Sequence, residues 1–185
     1  MSDGDLIAHS LDDPPVFEHL VTSLGPRVHA YFARRAPQHA DDLLSETWLE
    51  AFRSRHRYDA ERGEAAAWVF GVARHVLLSH LRHTGRSTGA SGAGLASEQS
   101  FDEWDAVDRR LDAAGSSPAL RAALAVLPAE ERDVLLLVAW EQLSPTEAAA
   151  VLGIPAGTAR SRLHRARNRI TESWNSTVVA RGGQS

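Results

Sequence analysis

The chain has 185 residues, 43% of them hydrophobic; it is longer than one typical domain, and each half is large enough for a modest helical core. Its 20 basic and 24 acidic residues leave a formal charge of −4, which argues against indiscriminate adhesion of the free chain to nucleic acid. No cysteine occurs, so disulfides, zinc–thiolate centres and thiol redox sensing are excluded within it.

In chain order, residues 1–14 are acidic and polar, unlike a signal peptide, and are expected to form a disordered tail. No apolar run reaches membrane-spanning length, so a cytoplasmic protein without membrane insertion is expected. Residues 15–84 are expected to form a first helical domain. Within it, 40–54 places Leu43, Leu44, Thr47, Trp48, Ala51 and Phe52 on one helical stripe. Asp42, Glu46, Leu49 and Glu50 are left towards solvent, either as a plain acidic face or as a protein-binding one in which Leu49 is the apolar contact.

The segment 53–62 interleaves Arg53, Arg55, His56, Arg57 and Arg62 with Tyr58, a pattern suited to a separated DNA strand. Arginines hold phosphates there and a ring receives an unstacked base. A helix over 64–83 buries Val69, Val72, Ala73, Val76 and Leu77 and presents Gly71, Arg74, His75, Leu78 and Arg82. Trp68 lies at the edge of the apolar stripe and is assigned to the core.

Residues 85–118 read as a linker, flexible where Gly and Ser dominate. Phe101, Trp104, Val107 and Leu111 have the spacing of a short docking helix, among the acids Glu98, Asp102, Glu103, Asp105 and Asp108.

The second domain, 119–173, ends in a helix-turn-helix. Ser144, Pro145 and Glu147 form an N-cap, a first-turn proline and a capping box, and Gly153 supplies the left-handed residue that stops the helix. Ile154-Pro155 starts a second helix whose buried stripe is Ala159, Leu163, Ala166 and Ile170. Its other faces carry Arg160, Ser161, Arg162, His164, Arg165, Arg167, Asn168 and Arg169, and no acid. Arginine donates in pairs to guanine and also neutralises phosphate, while Thr158 offers a hydroxyl and an N–H near the helix start. Residues 174–185 are expected to be a tail.

The nine histidines show no metal-ligand spacing, and neither a phosphate loop nor a nucleophile elbow occurs. A non-catalytic protein without metal or cofactor is expected.

Strings from two parts of the chain together carry a family resemblance. The run LPAEER with VLLL, followed by LGIPAGTARSRLHRAR, is similar to region four of bacterial RNA polymerase sigma factors of the extracytoplasmic-function (ECF) type within the sigma-70 family. ADDLLSETWLEAF and AWVFGVARH resemble the acidic helix and the tryptophan-bearing promoter helix of region two. Ala159 stands where Val is common in the family, Ser45 where Gln is, and His75 where Asn is.

The resemblance implies an all-α protein of two small helical domains joined by a linker, directing promoter-specific transcription initiation. Region four would recognise the minus-35 element through Thr158, Arg160, Ser161, Arg162, His164, Arg165 and Arg167. Region two would recognise and melt the minus-10 element through Tyr58, Arg62, Arg74, His75 and Arg82. Asp42, Glu46, Leu49 and Glu50 would bind the β′ clamp helices of core RNA polymerase, and region four the β flap. The acidic linker would pass near the active-site channel. The chain has no long N-terminal autoinhibitory region, so an anti-sigma factor is an expected partner. The alternative is a stand-alone helix-turn-helix regulator that binds DNA as a dimer; an adaptor that binds only proteins fits the arginine-rich helix poorly.

Overall fold

The computed structural model describes residues 1–87 and 118–182, with side chains over 1–84 and 120–173. All its regular elements there are helices: α1 (Asp3–His9), α2 (Phe17–Arg35), α3 (Ala40–Ser54), α4 (Ala65–Ser87), α5 (Pro118–Ala125), α6 (Ala129–Ala139), α7 (Pro145–Leu152) and α8 (Ala156–Gly182). The linker acids and the expected docking helix at Phe101–Leu111 lie outside the described residues.

The first module packs α3 and α4 against α2. Helix α2 runs through Pro26, although an interior proline costs about 3 kcal/mol, because its Leu20, Leu24, Val28, Tyr31 and Phe32 face is fully buried. Edge-to-face ring contacts order the interior: Phe17 meets Phe52 at 5.3 Å and Trp48 at 6.2 Å, and Tyr31 meets Phe70 at 5.8 Å. Helix α3 matches the sequence expectation over 40–54. It buries Leu43, Thr47 and Ala51, with the Thr47 hydroxyl donating to the Leu43 carbonyl at 2.7 Å.

Two expected tails are helical. Residues 1–14 contain α1, closed by a capping box in which Ser2 Oγ accepts from the Asp5 N–H and Asp5 accepts from the Ser2 N–H. Leu6 and Ile7 anchor it in the core, and Asp3 accepts a bond from Ser23 of α2. The second tail continues α8 to Gly182, since no proline interrupts 174–181 and the first glycine there is Gly182 itself.

In the second module, α6, α7 and α5 pack around α8. The two modules also share a core. The buried cluster of α1–α4 extends into Leu137, Leu143, Ala148 and Val151, and α7 lies against α4. At this junction, the loop between α6 and α7 buries Glu141 completely. One carboxylate oxygen accepts from Arg35 at 3.0 Å and the other from Arg34, while Arg27 donates to the Glu141 carbonyl. The Arg35 guanidinium also lies 3.9 Å over the Tyr31 ring. Gln142, at φ +55°, turns the chain back so that Leu143 enters the core.

Candidate nucleic-acid interface

The helix-turn-helix forms as its caps dictate. Ser144 Oγ accepts from the Glu147 N–H at 3.2 Å, and Glu147 accepts from the Ser144 N–H at 2.6 Å. Gly153 takes φ +66° and lets Ile154 N–H reach the Ala149 carbonyl at 3.0 Å. This turn sets α8 across α6 and α7, with Ala159, Leu163 and Ala166 buried between them and Ile170 partly buried.

Away from that stripe, Arg160, Ser161, His164, Arg165, Arg167, Asn168 and Arg169 are exposed, and Thr158 and Arg162 partly so. Ser161 donates to the Thr158 carbonyl at 2.9 Å, which leaves its oxygen free to accept. His164 Nε2 and Asn168 Nδ2 lie 3.1 Å apart, so Asn168 fixes the plane of the imidazole.

The five arginines do not behave alike. Arg162 donates to Glu130 at 2.7 Å. Arg165 and Arg169 donate through Nε to the two oxygens of Glu131 at 2.9 and 3.1 Å. Neither Arg160 nor Arg167 has an acidic partner among the described residues. The sequence reading counted Arg162 and Arg165 simply as DNA contacts and missed Glu130 and Glu131. Periodicity along α8 carries no signal for acids some thirty residues upstream.

In the first module a cavity of about 490 Å³ brings together Tyr58, Arg62 and His75, three of the residues expected at the minus-10 element. Arg57 and Trp68 also line it, and Ala150 of α7 walls one side. Tyr58 donates to the Gly63 carbonyl at 3.2 Å and packs its ring 5.6 Å from that of Trp68. Burial, followed by the nearby carboxylate of Glu64, pushes the phenol above its ordinary pKa. Gly63 holds φ +154°, and Gly4 sits where a Cβ would approach the Tyr58 hydroxyl to 2.8 Å, so α1 closes over the tyrosine. Trp68 is thus both a core residue and a cavity wall.

Arg74 and Arg82 lie outside the cavity. Arg82 is exposed near the end of α4, and Arg74 is close enough to Asp133 of α6 to act on its charge. Burial pushes the Asp133 carboxyl up, and the charges of Arg74, Arg35, Arg132 and Arg162 oppose the rise.

On α3, Asp42, Glu46, Leu49 and Glu50 are all exposed, Leu49 by 57%. They form an acidic face with one apolar knob. Beside it the rings of His39 and His80 stand 4.5 Å apart, and burial, then the neighbouring His39, lowers the His80 pKa. Among the described residues no three His, Asp or Glu side chains are grouped to hold a metal, and no helix is long and apolar enough to cross a membrane.

A two-module helical protein with a capped, arginine-bearing reading helix has the architecture of a promoter-recognition subunit. Residues 20–87 match the family Sigma-70 region 2, and residues 117–170 match Sigma-70, region 4. The ECF RNA polymerase sigma factor SigC of Mycobacterium tuberculosis is 37% identical over 131 residues, covering 71% of this chain and 68% of that protein. SigF of Caulobacter vibrioides is 34% identical over 171 residues, 90% of each chain. The solved structure of CnrH in complex with the cytosolic domain of CnrY superimposes with a TM-score of 0.62 at 23% identity, over 94% of this chain and 97% of that one. RpoE in complex with the anti-sigma factor NepR from Bartonella quintana gives 0.59 at 23% identity, over 86% and 96%. The chain belongs to the ECF RNA polymerase sigma factors. It therefore acts with core RNA polymerase on promoter DNA to direct transcription initiation, and sigma factors are not enzymes. The stand-alone regulator falls away, because the N-terminal half is region two rather than a dimerisation or ligand module.

Proposed function

We propose that α8 reads the minus-35 element, with Arg160, Ser161 and His164 directed to base edges and Thr158, Arg162, Arg165 and Arg167 to phosphates. The observation that carries this is the two-sidedness of α8: one stripe is locked into α6 and α7, and the opposite face is exposed, cationic and free of acid over 156–170. Tyr58, Arg62 and His75 around the cavity, with Arg74 and Arg82 along α4, hold the minus-10 strand as it opens, the cavity receiving a base taken out of the stack. The acidic face of Asp42, Glu46, Leu49 and Glu50 docks on the β′ clamp helices, and region four meets the β flap. An anti-sigma factor is the expected regulator, supported by the CnrY and NepR complexes of the two structural relatives. A cytoplasmic location is the one expected of a polymerase subunit.

The test is transcription of sheared host DNA by core RNA polymerase with and without this chain, followed by sequencing of RNA 5′ ends. New starts sharing two spaced upstream motifs are expected. Absence of new starts, with the chain bound to core, would refute the promoter reading.

A further inference from the structure

The charges of α8 are divided by flank. At 100° per residue, Arg162, Arg165 and Arg169 fall on the side that faces α6, and Arg160, His164 and Arg167 fall on the other. On the α6 side, Glu131 is buried, with its side chain only 7% exposed, and each of its oxygens accepts one Nε–H bond. Its two arginines remain half exposed, so their outer nitrogens still reach the surface. Arg165 and Arg169 are one turn apart on the helix, where like charges repel unless an acid stands between them. A carboxylate that grips both side chains at their base fixes where the guanidinium planes point and removes a unit of net charge from that flank.

We propose that Glu131 is a positioning and specificity-determining residue for promoter binding. Acting through Arg165 and Arg169, it aims two phosphate contacts and lowers the net charge of their flank, leaving the Arg160–Arg167 flank as the one without any acid among the described residues. Correct DNA is then engaged in one register, and incorrect DNA gains little from indiscriminate attraction. This rests on the reading of α8 as the minus-35 helix.

The experiment measures affinity of reconstituted holoenzyme for a promoter fragment and for the same fragment with a scrambled minus-35 element, across a salt series. Glu131→Gln keeps the shape and removes the charge. We expect the preference for the correct element to fall about tenfold, with tighter binding to scrambled DNA and a salt slope there steeper by about one. Glu131→Asp keeps the charge and shortens the reach, so the slope is restored and the preference is not. In an Arg165→Gln, Arg169→Gln background, Glu131→Gln should change neither quantity. A merely structural role would weaken both DNAs in parallel at constant preference, and that result overturns the proposal, as does a preference left intact. Should Glu131→Gln misfold, Arg169→Lys tests the same grip from the other side: it keeps the cation but loses the Nε donor, and must lower preference at unchanged slope. Arg160→Ala separates the two levels: if it leaves the preference unchanged, the reading of α8 fails; if it abolishes the preference while Glu131→Gln spares it, only the role of Glu131 fails.

Discussion

Glu141 and Glu131 are both buried carboxylates held by arginines, yet the two sites are built for different ends. At Glu141 the acid is fully covered, and its partners Arg34 and Arg35 are 24% and 6% exposed, with the Arg35 guanidinium stacked on Tyr31. At Glu131 the partners are 50% exposed and belong to the helix that faces DNA. Closing an ion pair on all sides makes it an internal joint between α2 and the α6–α7 loop. Leaving the cations half in water makes the pair a mount that can still engage a third party. Burial of the arginine, more than that of the acid, separates structure from recognition here.

That contrast predicts unequal costs of removing the two acids. Glu141→Ala strands Arg34 and Arg35 near the junction, a loss of about 3–5 kcal/mol for a broken buried pair. Glu131→Ala leaves its arginines free to turn into water, so screening limits the cost to about 1 kcal/mol or less. Urea unfolding of the two variants checks this, and equal losses would erase the distinction. The Glu141 variant should also lose compactness in small-angle scattering, since the joint spans the two modules, while the Glu131 variant should not.

The second prediction concerns the uncompensated flank. Arg160→Ala should cost about 1–3 kcal/mol at one base position and relax preference there, because Arg160 has no acidic partner to release. Arg162→Ala should cost less, since Glu130 already takes part of its charge. Affinities for a panel of single-base promoter variants measure both. An unchanged profile for the Arg160 variant would remove it from base readout.

What the sequence made legible was local. The span of α3, the capping box at Ser144, the left-handed stop at Gly153 and the buried stripe of α8 follow from neighbours and from a 3.6-residue period, and all four are present. Helix α1 escaped because it offers only Leu6 and Ile7 as apolar anchors within acidic surroundings, and its box closes with Asp5 where Glu or Gln is usual. The pairings of Glu141 with Arg34 and Arg35, and of Glu131 with Arg165 and Arg169, were not legible: they join residues 34 to 107 positions apart. The common core of the two modules escaped for a related reason. Leu137, Leu143, Ala148 and Val151 have the same pattern whether they cover their own module or a neighbour.

On α3 the contrast is sharpened by a face with no joint at all. Leu49 is exposed among Asp42, Glu46 and Glu50, so Leu49→Ala should leave stability within about 0.5 kcal/mol of the parent. Its affinity for core polymerase should fall by about 1 kcal/mol, roughly fivefold. Competition against the unaltered chain for core enzyme measures this; a variant that competes equally well would move the docking surface elsewhere.

The last prediction is at Asp133, whose carboxyl feels both Arg35 of the Glu141 joint and Arg162 of the α8 flank. Burial raises its pKa above the ordinary 3.8, so the folded state holds the proton more tightly than the unfolded state. Stability from this group is therefore present at low pH and is lost as pH rises from the unfolded value through the folded one. Asp133→Asn removes the ionisation and should make the chain more stable than the parent at pH 7, the advantage shrinking as the buffer is taken below 4. Paired urea titrations at the two pH values decide it. If the advantage grows on acidification instead, Arg74, Arg35, Arg132 and Arg162 stabilise the carboxylate more than burial penalises it, and Asp133 becomes a third joint of the Glu141 kind.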